Sequence, residues 1–162
     1  MPIFSLSSNY GIGTFGKKAF EFVDFLKKGG QSYWQILPLN PTNYGDSPYQ
    51  SFSSYAGNPY FIDIDSLIEE GLLEKEEADS FDFGSDPLRV DYDALYKNRL
   101  SLLGLAFGRF KPDKDYYDFL NQSAYWLDDY ALFYAIKQKN PEQPLLEWNK
   151  SLKKREDRKS VV

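Results

Sequence analysis

Residues 16–30 read GKKAFEFVDFLKKGG and lie between two short apolar runs, PIFSL at 2–6 and SYWQILPL at 32–39. That arrangement limits what the chain can fold into more than any other part of the sequence. Phe15, Ala19, Phe22, Val23 and Leu26 recur at helical spacing, which predicts an amphipathic helix. Lys27 and Lys28 suit the negative end of the helix dipole, and Gly29-Gly30 supplies a stop. The two flanking runs read as strands. The second is apolar without strict alternation, as strands buried on both faces are. Strand, helix, strand is a βαβ unit. One such unit cannot build a parallel sheet with both faces covered, so either the rest of the chain covers it or the rest of the sheet lies outside this chain.

Beyond FIDID at 61–65 the pattern turns helical. Ser66 and Glu69 have capping-box spacing ahead of LIEEGLL. Asp91 reads as the N-cap of YDALYKNRLSLLGLAF, where Leu95, Leu102, Leu103 and Ala106 form one apolar stripe. Pro112-Asp113 opens a further helix. The segment SAYWLDDYALFYAIKQ is apolar around much of its circumference and reads as a buried helix that Asn140-Pro141 ends. The charged tail LKKREDRKSVV reads as a helix cut short. Residues 1–65 are therefore expected to be α/β, and residues 66–162 helical.

Composition removes several classes of function. The 162 residues are 42% hydrophobic and 27% charged, as in a soluble globular domain. A net charge of −5 disfavours a nucleic-acid partner. With no Cys and no His, the chain has no thiol nucleophile, no thiolate metal site and no imidazole base. The start MPIFSLSSNYG lacks the basic and apolar regions of a signal peptide, and no apolar run is long enough to span a membrane, so the expected location is the cytosol.

Two motifs compete for a functional reading. GIGTFG at 11–16 matches G-x-G-x-x-G between a predicted strand and a predicted helix. A dinucleotide fold also wants an acidic residue at the end of the next strand, and that strand ends at Leu39-Asn40. The glycines are better read as permitting a tight turn and close packing. The second motif is YGDSPYQSFSSYAGNPY at 44–60, with Tyr44, Tyr49, Phe52, Tyr55 and Tyr60 among serines, glycines and prolines. A sugar ring has an apolar C–H face and a rim of hydroxyls. A tyrosine can cover the face and hydrogen-bond the rim, and Ser, Asn and Gln add neutral donors and acceptors. Phe52 and Tyr60 read as packing residues, and Tyr44 and Tyr49 as exposed in a cleft. The acids near this loop are Asp46, Asp63 and Asp65. Asp46 lies in a turn composition, and Asp63 and Asp65 alternate with Ile62 and Ile64 as on a half-buried strand. Turn and cap roles are the simpler reading for all three, and no catalytic carboxylate pair is visible.

WQILPLNPTNYGDSPYQSFSSYAGNPYFIDID at 34–65 closely resembles the amylomaltase family of 4-alpha-glucanotransferases, the disproportionating enzymes. SLSSNYGIGTFG, RVDYDALY and YWLDDYALFYAIK resemble further stretches of that family, so the likeness covers nearly the whole chain. Asn40 and Asn43 depart from it, standing where the family commonly has Gly. Asn tolerates positive φ, which would preserve the path of the loop. The resemblance implies a (β/α)₈ TIM barrel, which alone takes about 250 residues. Residues 1–65 would then be the first β/α units of an incomplete barrel, and residues 66–162 a helical insertion that ends early. It implies that Ser47 and Tyr49 line the active-site cleft and that Tyr44 and Tyr96 belong to a second glucan-binding site. It implies transfer of α-1,4-glucan segments between maltooligosaccharides by a retaining route, with no organic cofactor, in the cytoplasm or in a plant plastid. The family's catalytic aspartate nucleophile, acid/base glutamate and third aspartate find no counterpart here, so the chain alone is expected to be inactive. A non-catalytic glycan-binding module and a structural or interaction protein are the competing readings.

Overall fold

The computed structural model describes residues 1–86, 88–140 and 143–153, the side chain of Tyr44 excepted. The expected first helix forms as α1, Lys17–Lys28. Ala19 is buried, Phe22 and Leu26 are half-buried, and Gly29 and Gly30 end the helix, Gly30 at a φ of 72°. The other face of α1 turns Phe20 and Phe25 outward.

The two flanking strands do not form. Among the described residues every regular element is a helix or a 3₁₀ turn. PIFSL closes as a 3₁₀ turn at Ile3–Ser5, with Leu6 N–H donating to the Ile3 carbonyl at 3.0 Å. Residues 31–39 carry neither a helical nor a ladder pattern. The α/β expectation for 1–65, and with it the incomplete barrel, is therefore not confirmed by the hydrogen bonding of the described residues. An apolar run specifies burial, whereas a ladder also requires a second strand alongside it, and these two runs do not pair. Trp34 instead anchors its segment through its indole N–H to the Met1 carbonyl at 2.7 Å and its ring edge against Phe22 at 4.9 Å.

Helix α2, Ile64–Glu69, starts one turn earlier than the Ser66 capping box implies. Its cap is Asp63, whose carboxylate accepts from the Ser66 backbone N–H at 2.8 Å and from the Ser66 hydroxyl at 2.9 Å. Asp63 thus has the cap role expected of it, at the start of a helix. Thr14 also donates to this carboxylate. A short α3, Lys75–Asp79, follows, and then the long α4, Tyr92–Arg109. Asp91 caps α4 as expected, accepting from Ala94 N–H at 3.0 Å.

The chain divides into two compact units, Met1–Lys111 and Pro112–Val162. The core of the first unit gathers Ile3, Leu6, Tyr10 and Ile12 from the N-terminal turns, Tyr60, Phe61 and Ile64 from the segment after the aromatic loop, and Leu95, Leu102 and Ala106 from α4. In the second unit α5, Lys114–Ser123, is capped by Asp113, which accepts from Tyr116 N–H at 2.9 Å. Helix α6 spans Leu127–Lys139, and among its residues only Ile136 is buried, so it is less enclosed than its composition suggests. Its aromatic row runs through Tyr130 and Tyr134, stacked at 5.9 Å. Phe133 stacks on the buried Trp148 at 5.5 Å. Asn140 follows α6, and Pro141 lies outside the described residues. Of the charged tail, Lys150–Lys153 form a single turn, α7, and residues 154–162 lie outside the described residues.

One ion pair in the first unit has a testable pH signature. Arg109 of α4 grips Glu77 of α3 with two bonds of 2.6 and 2.5 Å and also donates to the Leu72 carbonyl at 3.1 Å. The Arg109 hydrogen bonds, followed by the capping bond from Glu74 N–H, hold the Glu77 carboxyl down at about 2 against an ordinary 4.5. A depressed carboxylate pKa stabilises the fold above the unfolded value, and that contribution is lost as pH falls through the folded one. Glu77→Gln is therefore expected to lower Tm at pH 7, and the gap from the parent should close between pH 4.5 and 2. A gap that persists unchanged at pH 2 would exclude this linkage.

Candidate functional site

The aromatic loop is tied at its neck by two hydrogen bonds. Asn58 N–H donates to the Leu39 carbonyl at 2.8 Å, and the Asn40 side-chain amide donates to the Ala56 carbonyl at 3.1 Å. Asn40 thus closes the loop with its side chain. Neither Asn40 nor Asn43 takes the positive φ anticipated from the glycines they replace; Asn43 lies at φ −118°, and Asp46 is the one non-glycine residue with positive φ among those described.

Inside the neck, serines do much of the work of regular structure. Ser47 Oγ accepts from Tyr49 N–H at 3.3 Å, and the Ser47 carbonyl accepts from Gln50 N–H at 3.1 Å. Ser51 and Ser53 make similar short bonds, with Ser53 Oγ accepting from Tyr55 and Ala56 N–H at 3.2 and 3.0 Å. Local side-chain bonds of this kind hold a backbone in turns and away from helix or ladder. The result is a shaped loop in which Tyr49 is 73% exposed. Ser47 is half-buried in the same turn, so these two expected cleft residues are adjacent. Tyr60 is buried and Phe52 half-buried, in keeping with packing roles.

The sharpest bend comes at Tyr44–Asp46, where Gly45 (φ 76°) and Asp46 (φ 54°) follow one another in the left-handed region. Glycine takes that conformation freely, and Asp does so far less often. The turn's backbone is described, while the Tyr44 side chain lies outside the described residues. Asp46 Oδ1 is buried and has no hydrogen-bond partner among the described residues. Burial, followed by the charge of Asp46, raises the pKa of Tyr92 at the start of α4.

Helix α4 carries the remaining candidate residue, Tyr96. Tyr92, Tyr96 and Arg99 fall at i, i+4 and i+7, on one face. Tyr96 is 52% exposed, and its ring meets Tyr60 edge-on at 6.1 Å and 85°. A polar tip with a half-covered ring is what an amphipathic tyrosine contact requires. Arg99 is fully buried. Its guanidinium donates to the carbonyls of Tyr60 at 3.0 Å, Ile62 at 2.5 Å and Tyr10 at 3.5 Å, and stands 5.8 Å from the centre of the Phe83 ring. Burial draws its pKa down to about 10, which leaves it a cation at neutral pH, and Asp63 works in the opposite direction. Burial pushes the Asp63 carboxyl up, but the Thr14 and Ser66 hydrogen bonds and the Arg99 charge together hold it below the usual range.

Sequence reasoning missed Arg99, Asn40 and Tyr92. The signal for Arg99 is present: Leu95, Arg99, Leu102 and Ala106 follow a 4-3-4 spacing, so the arginine occupies a core position of the stripe. Among the described residues no group of three or more acidic side chains could hold a metal ion, and no helix is long and apolar enough to cross a membrane.

The comparisons with known proteins agree with one another. The 4-alpha-glucanotransferase family matches residues 1–161. The solved structure of an amylomaltase from Streptococcus agalactiae in complex with acarbose superposes with a TM-score of 0.88 at 42% identity, covering 99% of this chain and 33% of that one. The 4-alpha-glucanotransferase of Clostridium butyricum is 48% identical, over 97% of this chain and 33% of its own length. That of Thermus thermophilus is 45% identical, over 95% and 31%. The chain belongs to the 4-alpha-glucanotransferase family. It spans about a third of the length of these relatives.

Proposed function

We propose that this chain supplies the N-terminal part of a 4-alpha-glucanotransferase, which moves α-1,4-glucan segments from a donor to an acceptor maltooligosaccharide with retention at the anomeric carbon. The observation that carries the reading is the family match over residues 1–161, on a chain whose tyrosine loop is closed and shaped by its own hydrogen bonds. In this reading residues 1–65 form the first β/α units of a TIM barrel and residues 66–162 its helical insertion. Ser47 and Tyr49 face the reacting sugar. Tyr44 and Tyr96 belong to a second surface that holds glucan without reacting. That an amylomaltase relative was solved with acarbose supports a sugar as the ligand.

A retaining displacement needs a carboxylate nucleophile and a carboxylic acid about 5–5.5 Å apart. The reading assigns both to the two-thirds of the relatives' length that this chain does not span. It needs no organic cofactor, and it places the enzyme in the cytoplasm or, in a plant, the plastid.

The residues that this reading gives to glucan binding, Tyr44, Ser47, Tyr49 and Tyr96, all belong to the Met1–Lys111 unit. The purified chain is therefore expected to bind amylose while leaving maltotriose unchanged. Tyr96→Ala should weaken amylose binding roughly 2- to 10-fold, the worth of one aromatic contact of about 0.5–1.5 kcal/mol. Because Tyr96 is half-exposed, its melting temperature should stay close to the parent's. Isothermal titration with amylose, alongside a melt, checks both. Equal affinity for amylose in parent and Tyr96→Ala would remove the second-surface assignment.

A further inference from the structure

We propose that Arg99 is a positioning residue for glucan binding: it holds the backbone on both sides of Phe61 and so sets the Tyr60–Tyr96 ring pair. The proposal rests on the reading that Tyr96 contacts glucan.

The stripe position that Arg99 occupies would be filled by leucine or methionine if packing were its only purpose. A buried cation is costly unless polar groups surround it. Here Nη1 and Nη2 are met by main-chain carbonyls from two separate segments, Tyr10 in the N-terminal turns and Tyr60 and Ile62 in the segment that closes the aromatic loop, while Nε has no hydrogen-bond partner among the described residues. A guanidinium spreads five N–H donors over a rigid planar fork, whereas an ammonium offers three from one nitrogen, so only the fork can reach carbonyls this far apart from fixed positions. Tyr60 and Ile62 bracket Phe61 in the 3₁₀ turn Pro59–Phe61, whose N-cap is Asn58. Asn58 also closes the loop neck through its N–H. The guanidinium therefore fixes the place where the loop rejoins the fold.

The same helix reaches Tyr60 a second time. Tyr96, three residues before Arg99, meets the Tyr60 ring edge-on at 6.1 Å. Tyr60 is thus held by its carbonyl from Arg99 and by its ring from Tyr96. Tyr60 is buried and Tyr96 is 52% exposed, so the buried ring is the rest against which the exposed one is oriented. A shift of the Tyr60 backbone moves that rest, and the exposed ring moves with it.

The test is a double-mutant cycle on the 162-residue chain, read as amylose affinity well below the melting temperature. Arg99→Lys keeps the charge and removes the fork. It should weaken amylose binding in the parent by roughly 2- to 10-fold, and by no more than Tyr96→Ala does, within the coupling seen for residues in one network. In the Tyr96→Ala background it should cost little more. A purely structural role would lower the melting temperature of Arg99→Lys and leave the affinity of the folded protein unchanged, or lower it by the same factor in both backgrounds; either result overturns the proposal. If Arg99→Lys does not fold, NMR of the unmutated chain labelled at arginine and tyrosine decides. Amylose should shift the Arg99 guanidinium resonances in step with those of Tyr60 and Tyr96, and shifts at Tyr96 without any at Arg99 would overturn it. A parent chain that binds no amylose overturns the glucan-surface reading and this proposal with it, an outcome distinct from the previous ones.

Discussion

Gly13→Ala is expected to prevent the Met1–Lys111 unit from folding as it does now. A Cβ at position 13 would lie 2.1 Å from the Ile3 carbonyl oxygen and 2.7 and 2.8 Å from the backbone N and O of Leu6. These atoms belong to a hydrogen-bonded turn and to its exit, so no flexible side chain can move aside. Gly13 N–H also donates to the Phe4 carbonyl at 3.2 Å, which draws the two segments together. Overpacking a core ordinarily costs about 1–3 kcal/mol. A clash against backbone falls at or beyond the top of that range, which corresponds to a fall in Tm of roughly 12 °C or more. Gly57→Ala is the control, since a Cβ there meets nothing within 4 Å. The two variants compared by thermal denaturation should separate clearly. Equal melting temperatures would show that the GIGTFG turn is not held by close approach.

The second large effect is on turnover and requires a complete enzyme, obtained by joining residues 1–162 to the remaining two-thirds of the Streptococcus agalactiae amylomaltase. In that protein Tyr49→Ala is expected to lower kcat/KM by roughly 10- to 200-fold, the loss of about 1–3 kcal/mol of transition-state binding. Tyr49 is 73% exposed in the present chain, so the truncation removes no core contact and the melting temperature should hold. Steady-state kinetics on maltotriose, with a melt as control, checks it. A kcat/KM within a factor of two of the parent would take Tyr49 out of the cleft.

Features set by neighbours along the chain were legible beforehand, and features set by distant partners were not. Helix α1 followed from the spacing of its apolar residues, and the Asp91 cap of α4 from a residue type that bonds the backbone three positions on. The strands did not follow, because PIFSL and SYWQILPL lack ladder partners among the described residues. Asp63 shows both sides at one residue. The cap role expected of it is local and holds, since it accepts from the Ser66 N–H three positions on, whereas its alternation with Ile62 and Ile64 forms no strand. Within the candidate site the composition of the loop pointed to exposed tyrosines, and Tyr49 is exposed. The clamp was hidden, because Arg99 meets Tyr10, Tyr60 and Ile62 across 89, 39 and 37 residues. The Asn40 clasp reaches Ala56 across 16 residues, and its role is likewise invisible in local composition.

The most direct measurement is the assay of maltotriose by two proteins side by side: the 162-residue chain, and the same chain joined to the remaining two-thirds of the S. agalactiae amylomaltase. The joined protein should convert maltotriose into glucose and longer maltooligosaccharides, and the chain by itself should leave it intact. Turnover by the purified chain alone, or a folded joined protein that leaves maltotriose untouched, would contradict the assignment of this chain as the N-terminal, substrate-holding part of a 4-alpha-glucanotransferase.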